Sequence, residues 1–307
     1  MSTKVSTSEQ VKQLLDAYDY FLFDCDGVLW LGDHILPKVA ETLKSLKSHG
    51  KTVIFVTNNS TKSRKDYLKK FLKFGIEGIN KTDIFGSSYA TAIYINKILK
   101  LPLNEKIWIL GEEGIKLELE ELGYKTLGAN DSKLNEDKEF NPDHEMLTEL
   151  DPEVGCVVAG LCLNLNYLKL SITMQYLLTK NKSLPFIATN IDSTFPSKGK
   201  LLIGAGSIIE TVSYASERKP DAICGKPNQS MMNSIKADYP ELQANPKRGL
   251  MIGDRLNTDM KFGKLGGLDT LLVLTGIETE ERVLSLTEEQ PTYYMDKLGD
   301  IFELTRE

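Results

Sequence analysis

Short, wholly apolar runs that stop at a polar residue recur along this chain. Tyr20-Phe21-Leu22-Phe23 ends at Asp24, Val53-Ile54-Phe55-Val56 ends at Thr57, and Gly249-Leu250-Met251-Ile252-Gly253 ends at Asp254. Such runs read as buried β-strands, and between them lie segments of helical character. Val11 to Tyr18 reads as a short helix. Pro37 opens a helix that stops at Gly50, and another runs from about Ser63 to Phe74, where Gly75 stops it. Strands that alternate with helices imply right-handed parallel crossovers, hence a doubly wound, mostly parallel α/β sheet of Rossmann-like type. In such sheets ligands bind beyond the carboxyl ends of the strands. Asp24, Asp26, Thr57, Asn58, Ser87 and Ser88 are expected there, the last two after a third strand that begins at Ile84.

The middle of the chain changes character. Lys106 to Gly111, Gly155 to Leu161 and Pro185 to Thr189 read as strands, and Leu165, Leu168, Ile172 and Tyr176 fall at helical spacing. The polar stretch from Ala129 to Asp151 reads as loop or surface insertion. This block is expected to form an inserted α/β cap over residues 99–204, between core segments 1–98 and 205–307, with Gly204 to Ser207 marking the return to the core. The end of the chain resumes the first pattern, with strands at 249–254, 270–274 and 291–295.

A length of 307 residues suits two domains, and a net charge of −6 does not favour a nucleic-acid partner. No apolar run approaches the roughly 20 residues of a membrane helix, and the first residues lack the apolar core of a signal peptide. The four cysteines, Cys25, Cys156, Cys162 and Cys224, show no CxxC spacing and read as reduced thiols of a cytoplasmic protein, with the nucleus left open. None of the three histidines shares a metal-ligand spacing with another His or Cys, so structural zinc is not expected.

Four constellations could carry chemistry. Asp24 and Asp26 leave a strand end on one side, Cys25 on the other, so one carboxylate can attack an electrophile while its neighbour handles a proton. Thr57-Asn58-Asn59 offers a hydroxyl and two amides suited to an oxyanion. Lys226, in Gly225-Lys226-Pro227, could neutralise a nucleophile and a phosphate. Asp254 and Asp259 lie across a strand-to-helix turn, where oxygen ligands suit Mg²⁺. Taken singly, these strings also read as a turn, a helix cap, a surface turn and a solvated loop. Their joint order, acid pair, threonine, lysine, acid pair, favours the chemical reading.

DCDGV, the threonine of VTNNS, the lysine of CGKPN and GDRLNTD together resemble the four motifs of the haloacid dehalogenase-like phosphatases. FLFDCDGVLWLG, IFVTNNSTKSR, ATNIDSTFP and GAGSIIE resemble its NagD-like group (type IIA), which includes eukaryotic 4-nitrophenylphosphatases, phosphoglycolate phosphatases and pyridoxal phosphate phosphatase. The resemblance implies a phosphomonoesterase for small phosphate esters, phosphoglycolate-like acids first, with pyridoxal phosphate or sugar phosphates as alternatives. Asp24 would be the nucleophile and Asp26 the proton donor and base. Gly27, Thr57, Asn58, Asn59 and Lys226 would hold the substrate. Asp24, Asp26 (by its backbone carbonyl), Asp254 and Asp259 would surround one Mg²⁺ per active site. Asn190 and Asp192 in the cap either influence the site or shape a turn, and the cap leaves a homodimer open. The reading from another class is a regulatory phosphate-binding protein with a vestigial site, which would not need Asp26. Cys25 is either an inert core thiol or a point where oxidation would disturb the two acids beside it.

Overall fold

A computed structural model describes residues 2–136, 139–197 and 200–305. The chain forms two compact units: Met1–Thr57, Tyr67–Phe85 and Lys226–Glu307 make the first, and Asn58–Asp66 with Gly86–Gly225 make the second. The boundaries drawn from sequence at 98/99 and 204/205 differ from these. The physical reason for the later boundary is that helix Ala205–Ser216 buries Ala205, Ile208, Ile209 and Val212 in the second unit's core, and strand Ala222–Ile223 pairs there with Phe186–Ala188.

The first unit is built on a seven-stranded sheet, in the order Thr3–Lys4, Tyr293–Met295, Asp269–Val273, Gly249–Gly253, Tyr20–Phe23, Thr52–Thr57, Ile84–Gly86. The pairings from Thr3–Lys4 through Thr52–Thr57 are all parallel. The central strands are buried along both faces, which is why their sequences are unbroken apolar runs. Helices Ser8–Ala17 and Val39–Ser48 bury Val11, Leu14, Leu43 and Leu46 in the core that Phe21, Phe23 and Phe55 enter from the sheet. Tyr67 and Phe71, on helix Arg64–Lys73, belong to the same core. Strand Thr3–Lys4 was not expected, since its residues are polar. At a sheet edge, ladder hydrogen bonds to Thr292 and Tyr294 suffice to hold it. Ser87 and Ser88 follow the third strand as expected, but they open a helix rather than a loop. The strand stops at Gly86, whose extended backbone caps helix Ser87–Ile93.

The second unit carries a five-stranded parallel sheet in the order Ala222–Ile223, Phe186–Ala188, Val154–Ala159, Lys106–Leu110, Lys125–Gly128. In chain order this is 5-4-3-1-2, the flavodoxin-like winding, with the order reversing between Lys106–Leu110 and Val154–Ala159. Helix Tyr167–Lys182 buries Ile172, Tyr176 and Leu177 against Trp108 and Val157. Within the expected polar loop, a 3₁₀ turn forms at Ser132–Asn135 and a short helix at Glu145–Thr148.

The segment Asn58–Asp66 is fastened within the second unit. Gly114 N–H donates to the Thr61 carbonyl at 3.2 Å, and Ser87 and Ser88 hydroxyls donate to the carbonyls of Asn58 and Lys62 at 2.7 and 3.1 Å. The buried Glu118 carboxylate accepts from Arg64 N at 2.6 Å and from Arg64 Nε at 3.0 Å. The Arg64 guanidinium lies 3.5 Å from the Tyr89 ring centroid. Among the described residues no helix is long and apolar enough to cross a membrane.

Candidate active site

Three adjacent parallel strands of the first unit, Gly249–Gly253, Tyr20–Phe23 and Thr52–Thr57, end side by side and set Asp254, Asp24 and Thr57 at one carboxyl edge. The ladder continues one step beyond Phe23, because Asp24 N–H donates to the Ile252 carbonyl at 2.8 Å. Lys226 enters the same edge. Its Nζ donates to Asp24 Oδ1 at 2.6 Å, Asp259 Oδ1 at 2.7 Å and the Val56 carbonyl at 2.8 Å. This lysine is 2% exposed, so all three donors are used inside the protein.

Asp259 lies on a π-helical turn, Leu256–Met260, that follows the strand end. Its Oδ2 accepts from the backbone N–H groups of Asp254 and Arg255, both at 3.1 Å, so this carboxylate ties its own turn to the lysine. Asp254 is oriented from another loop, by the Ile277 N–H on Oδ2 at 3.0 Å. Glycines make room for it. A Cβ at Gly276 would stand 1.8 Å from Asp254 Oδ2, and one at Gly27 would stand 2.5 Å from it. Gly27 also has φ +91°, a conformation that favours glycine.

The electrostatics follow from burial. Oxygens of Asp24, Asp254 and Asp259 lie within 4.8 Å of one another, and all three residues are buried. Burial raises the Asp24 carboxyl well above its usual range despite Lys226, with Asp259 and Asp254 adding to the rise. Burial and the neighbouring Asp259 push Asp254 up to about 7. Burial alone would lower Lys226, but the carboxylates of Asp24 and Asp259 outweigh it and raise its pKa. One ammonium thus faces three carboxylates. A hard divalent cation fits this donor set, which is all oxygen, convergent and over-negative. In the bonds above, Asp24 engages Oδ1 and Asp254 engages Oδ2, which leaves the other oxygen of each for such an ion.

Asp26 is not one of those three carboxylates. It lies in a tight loop in which Gly27 N–H donates to the Trp30 carbonyl at 2.8 Å, and its Oδ1 accepts from Trp30 Nε1 at 2.9 Å. Thr57 Oγ1 lies 3.4 Å from the Tyr67 hydroxyl. Cys25 is fully buried, and burial, followed by the carboxylates on either side, pushes its thiol well up, the condition of an unreactive thiol. Asn58, Asn59, Asn190 and Asp192 belong to the second unit. The Asn58 and Asn190 amides both donate to Asp192 Oδ2 at 2.9 Å. Asn59 Oδ1 accepts from the Thr61 N–H at 3.0 Å and the Thr61 hydroxyl at 2.7 Å, turning its own loop.

A haloacid dehalogenase-like hydrolase model matches residues 21–125, and a second, HAD-hydrolase-like model matches residues 223–301. A 4-nitrophenylphosphatase of Schizosaccharomyces pombe is 41% identical over 99% of each chain. The chain belongs to the haloacid dehalogenase-like hydrolases. Phosphoglycolate phosphatase 2 of Arabidopsis thaliana is 38% identical to this hydrolase, again over 99% of each chain. Among solved structures, a 4-nitrophenylphosphatase from Thermotoga maritima superposes with a TM-score of 0.76 at 30% identity, covering 95% of this chain and 99% of its own. The matched stretches contain the apolar strand ends from which the resemblance was read. Tyr67, Gly276 and the Ile277 N–H escaped that reading, and Trp30 stood within FLFDCDGVLWLG with no role assigned to it.

Proposed function

We propose that this hydrolase is a Mg²⁺-dependent phosphomonoesterase acting on small phosphorylated metabolites, with phosphoglycolate-like acids as the first candidates. The observation that carries the reading is the buried contact between Asp24 and Lys226 beside Asp254 and Asp259. A carboxylate can attack a phosphate dianion only where positive charge offsets the repulsion. Mg²⁺ held by Asp24, Asp254 and the Asp26 backbone carbonyl, with Asp259 supporting, would add that charge at the phosphoryl group. Lys226 offsets charge on Asp24 and on the bound phosphoryl group. Asp24 attacks phosphorus through a carboxylate oxygen, giving an aspartyl-phosphate as the ester P–O bond breaks. Asp26 gives its proton to the departing oxygen, then takes one from the water that cleaves the intermediate. Thr57, with backbone N–H groups near Asp26 and Asn58, holds phosphoryl oxygens. Asn59, Asn190 and Asp192 are the further candidates for shaping substrate choice.

The test is phosphate release from 4-nitrophenyl phosphate with and without Mg²⁺, in the wild type and in Asp24→Asn. Activity that needs Mg²⁺ and disappears in a folded Asp24→Asn protein is expected; near-normal turnover by that variant would overturn the mechanism. A panel of phosphorylated metabolites ranked by kcat/KM then separates phosphoglycolate from pyridoxal phosphate and sugar phosphates. No activity on any ester, with phosphate still bound, would favour the regulatory reading. We also place the enzyme in the cytoplasm, consistent with four buried, unpaired cysteines. The exposed run Leu201-Leu202-Ile203, at 65%, 43% and 67% exposure, supports a homodimer through the second unit, which light scattering of the wild type and of a Leu201→Ser, Ile203→Ser variant tests.

A further inference from the structure

Trp30 is fully buried, yet its one polar atom points at a reactive group. Its indole N–H donates to Asp26 Oδ1 at 2.9 Å. The other tryptophan, Trp108, satisfies the same need inside a core by donating to the Thr173 hydroxyl at 2.8 Å. A buried indole therefore does not require a carboxylate. The rest of Trp30 is held firmly. Its ring packs on Tyr67, Phe71 and Phe74, with centroids 6.3, 5.3 and 5.6 Å away. Its backbone closes the loop as well, since the Trp30 carbonyl accepts from Gly27 N–H and its own N–H reaches the Cys25 carbonyl at 3.3 Å. Lys70 Nζ stands 4.1 Å from the Trp30 ring centroid. A cation over an indole face draws electron density from the ring and makes the N–H a better donor.

We propose that Trp30 is a positioning residue that fixes the orientation of the Asp26 carboxyl, and that Lys70, lying over the indole, strengthens the hold. This rests on the reading of Asp26 as the proton donor to the leaving group. In that step the proton passes from the Asp26 carboxyl to the ester oxygen as the P–O bond breaks, so the carboxyl must face that oxygen. The aromatic cluster supplies the rigidity that a half-exposed aspartate on a loop lacks.

Leaving-group dependence of kcat/KM tests this, because kcat/KM reports phosphoryl transfer to Asp24 and excludes the later water step. An alkyl phosphate needs the proton, whereas 4-nitrophenolate departs without one. Trp30→Phe keeps the aromatic packing and removes the donor. It should lower kcat/KM about 10-fold or more for phosphoglycolate but less than about 3-fold for 4-nitrophenyl phosphate. Lys70→Met leaves the core intact and should act in the same direction by about 2- to 5-fold. With only two tryptophans, Asp26→Asn should move the Trp30 indole N–H resonance and leave that of Trp108 in place. If Asp26→Asn discriminates between the two esters while folded Trp30→Phe and Lys70→Met lose both equally, or neither, the positioning role is wrong. If Asp26→Asn itself fails to discriminate, the proton-donor reading falls, and the role assigned to Trp30 falls with it.

Discussion

Gly276 leaves no space for a side chain beside Asp254, since a Cβ there would stand 1.8 Å from Oδ2. The neighbouring Ile277 N–H donates to that same oxygen at 3.0 Å. The loop after strand Asp269–Val273 therefore orients Asp254 through its backbone and must remain side-chain-free to do so. Gly276→Ala should displace Asp254 and raise the Mg²⁺ concentration for half-maximal activity by about 10-fold or more, the range seen when the partner that orients a metal ligand is lost. Mg²⁺ titration of activity checks this; an unchanged midpoint would count against Asp254 as a ligand.

Lys226 is ion-paired with Asp24 and Asp259, two of the three buried carboxylates. Lys226→Met should abolish turnover and destabilise the metal-free protein by about 3–5 kcal/mol, since it takes the paired cation from Asp24 and Asp259. Asp24 already holds its proton to higher pH than a free aspartate, because of burial. Without the lysine it should hold that proton more tightly still, and protonation relieves the repulsion. The deficit in Tm, measured in EDTA, should therefore be larger at pH 8 than at pH 5.

The pH dependence of metal binding follows from Asp254. Its carboxyl titrates near 3.8 when free and is pushed up to about 7 in the folded protein by burial and Asp259. Between those values the unfolded chain has released this proton and the folded one keeps it. The metal-free protein thus loses stability on this group's account as pH rises from about 4 to about 7, and the loss is complete above that. A cation held by Asp254 would take the proton's place. The rise in Tm at a fixed excess of Mg²⁺ should grow from pH 5.5 to pH 8, and equal shifts at both would contradict this linkage.

Glu118 offers a test away from the chemistry. It is 1% exposed and accepts from both the backbone and the side chain of Arg64. Glu118→Ala should cost about 3–5 kcal/mol in urea unfolding and accelerate hydrogen exchange at the Arg64 amide. Glu41→Ala, which removes an exposed pair with Lys38, should cost less than about 1 kcal/mol.

What could be read from sequence follows the physics of burial. The strands ending at Asp24, Thr57 and Asp254 are covered on both faces, so their composition announces them. Lys125–Gly128 sits at the edge of the second sheet, with Lys125 exposed and Thr126 and Leu127 half-buried, and it carries no apolar run to announce it. Thr3–Lys4 is hidden for the same reason. The acids and the lysine could be picked out because they occur in a fixed order along the chain, and the fold brings Asp24, Lys226, Asp254 and Asp259 together. The groups that orient them were not: Ile277 acts through a backbone N–H and Gly276 by having no side chain. Tyr67 looks like any core aromatic until its hydroxyl is placed beside Thr57. The fastening of Asn58–Asp66 depends on Glu118, more than fifty residues away along the chain.

That fastening bears on how such an enzyme could be recombined. The chain passes between its two units at 57/58, 66/67, 85/86 and 225/226, so neither unit is a single insert. A transplant cut only at Gly86 and Gly225 would carry Glu118 away and leave Arg64 behind. Any donor sequence for this region must therefore bring a buried acid for that arginine, or exchange residues 58–66 along with it. A nine-residue stretch directly after Thr57 thus ties the heredity of the second unit to that of the first.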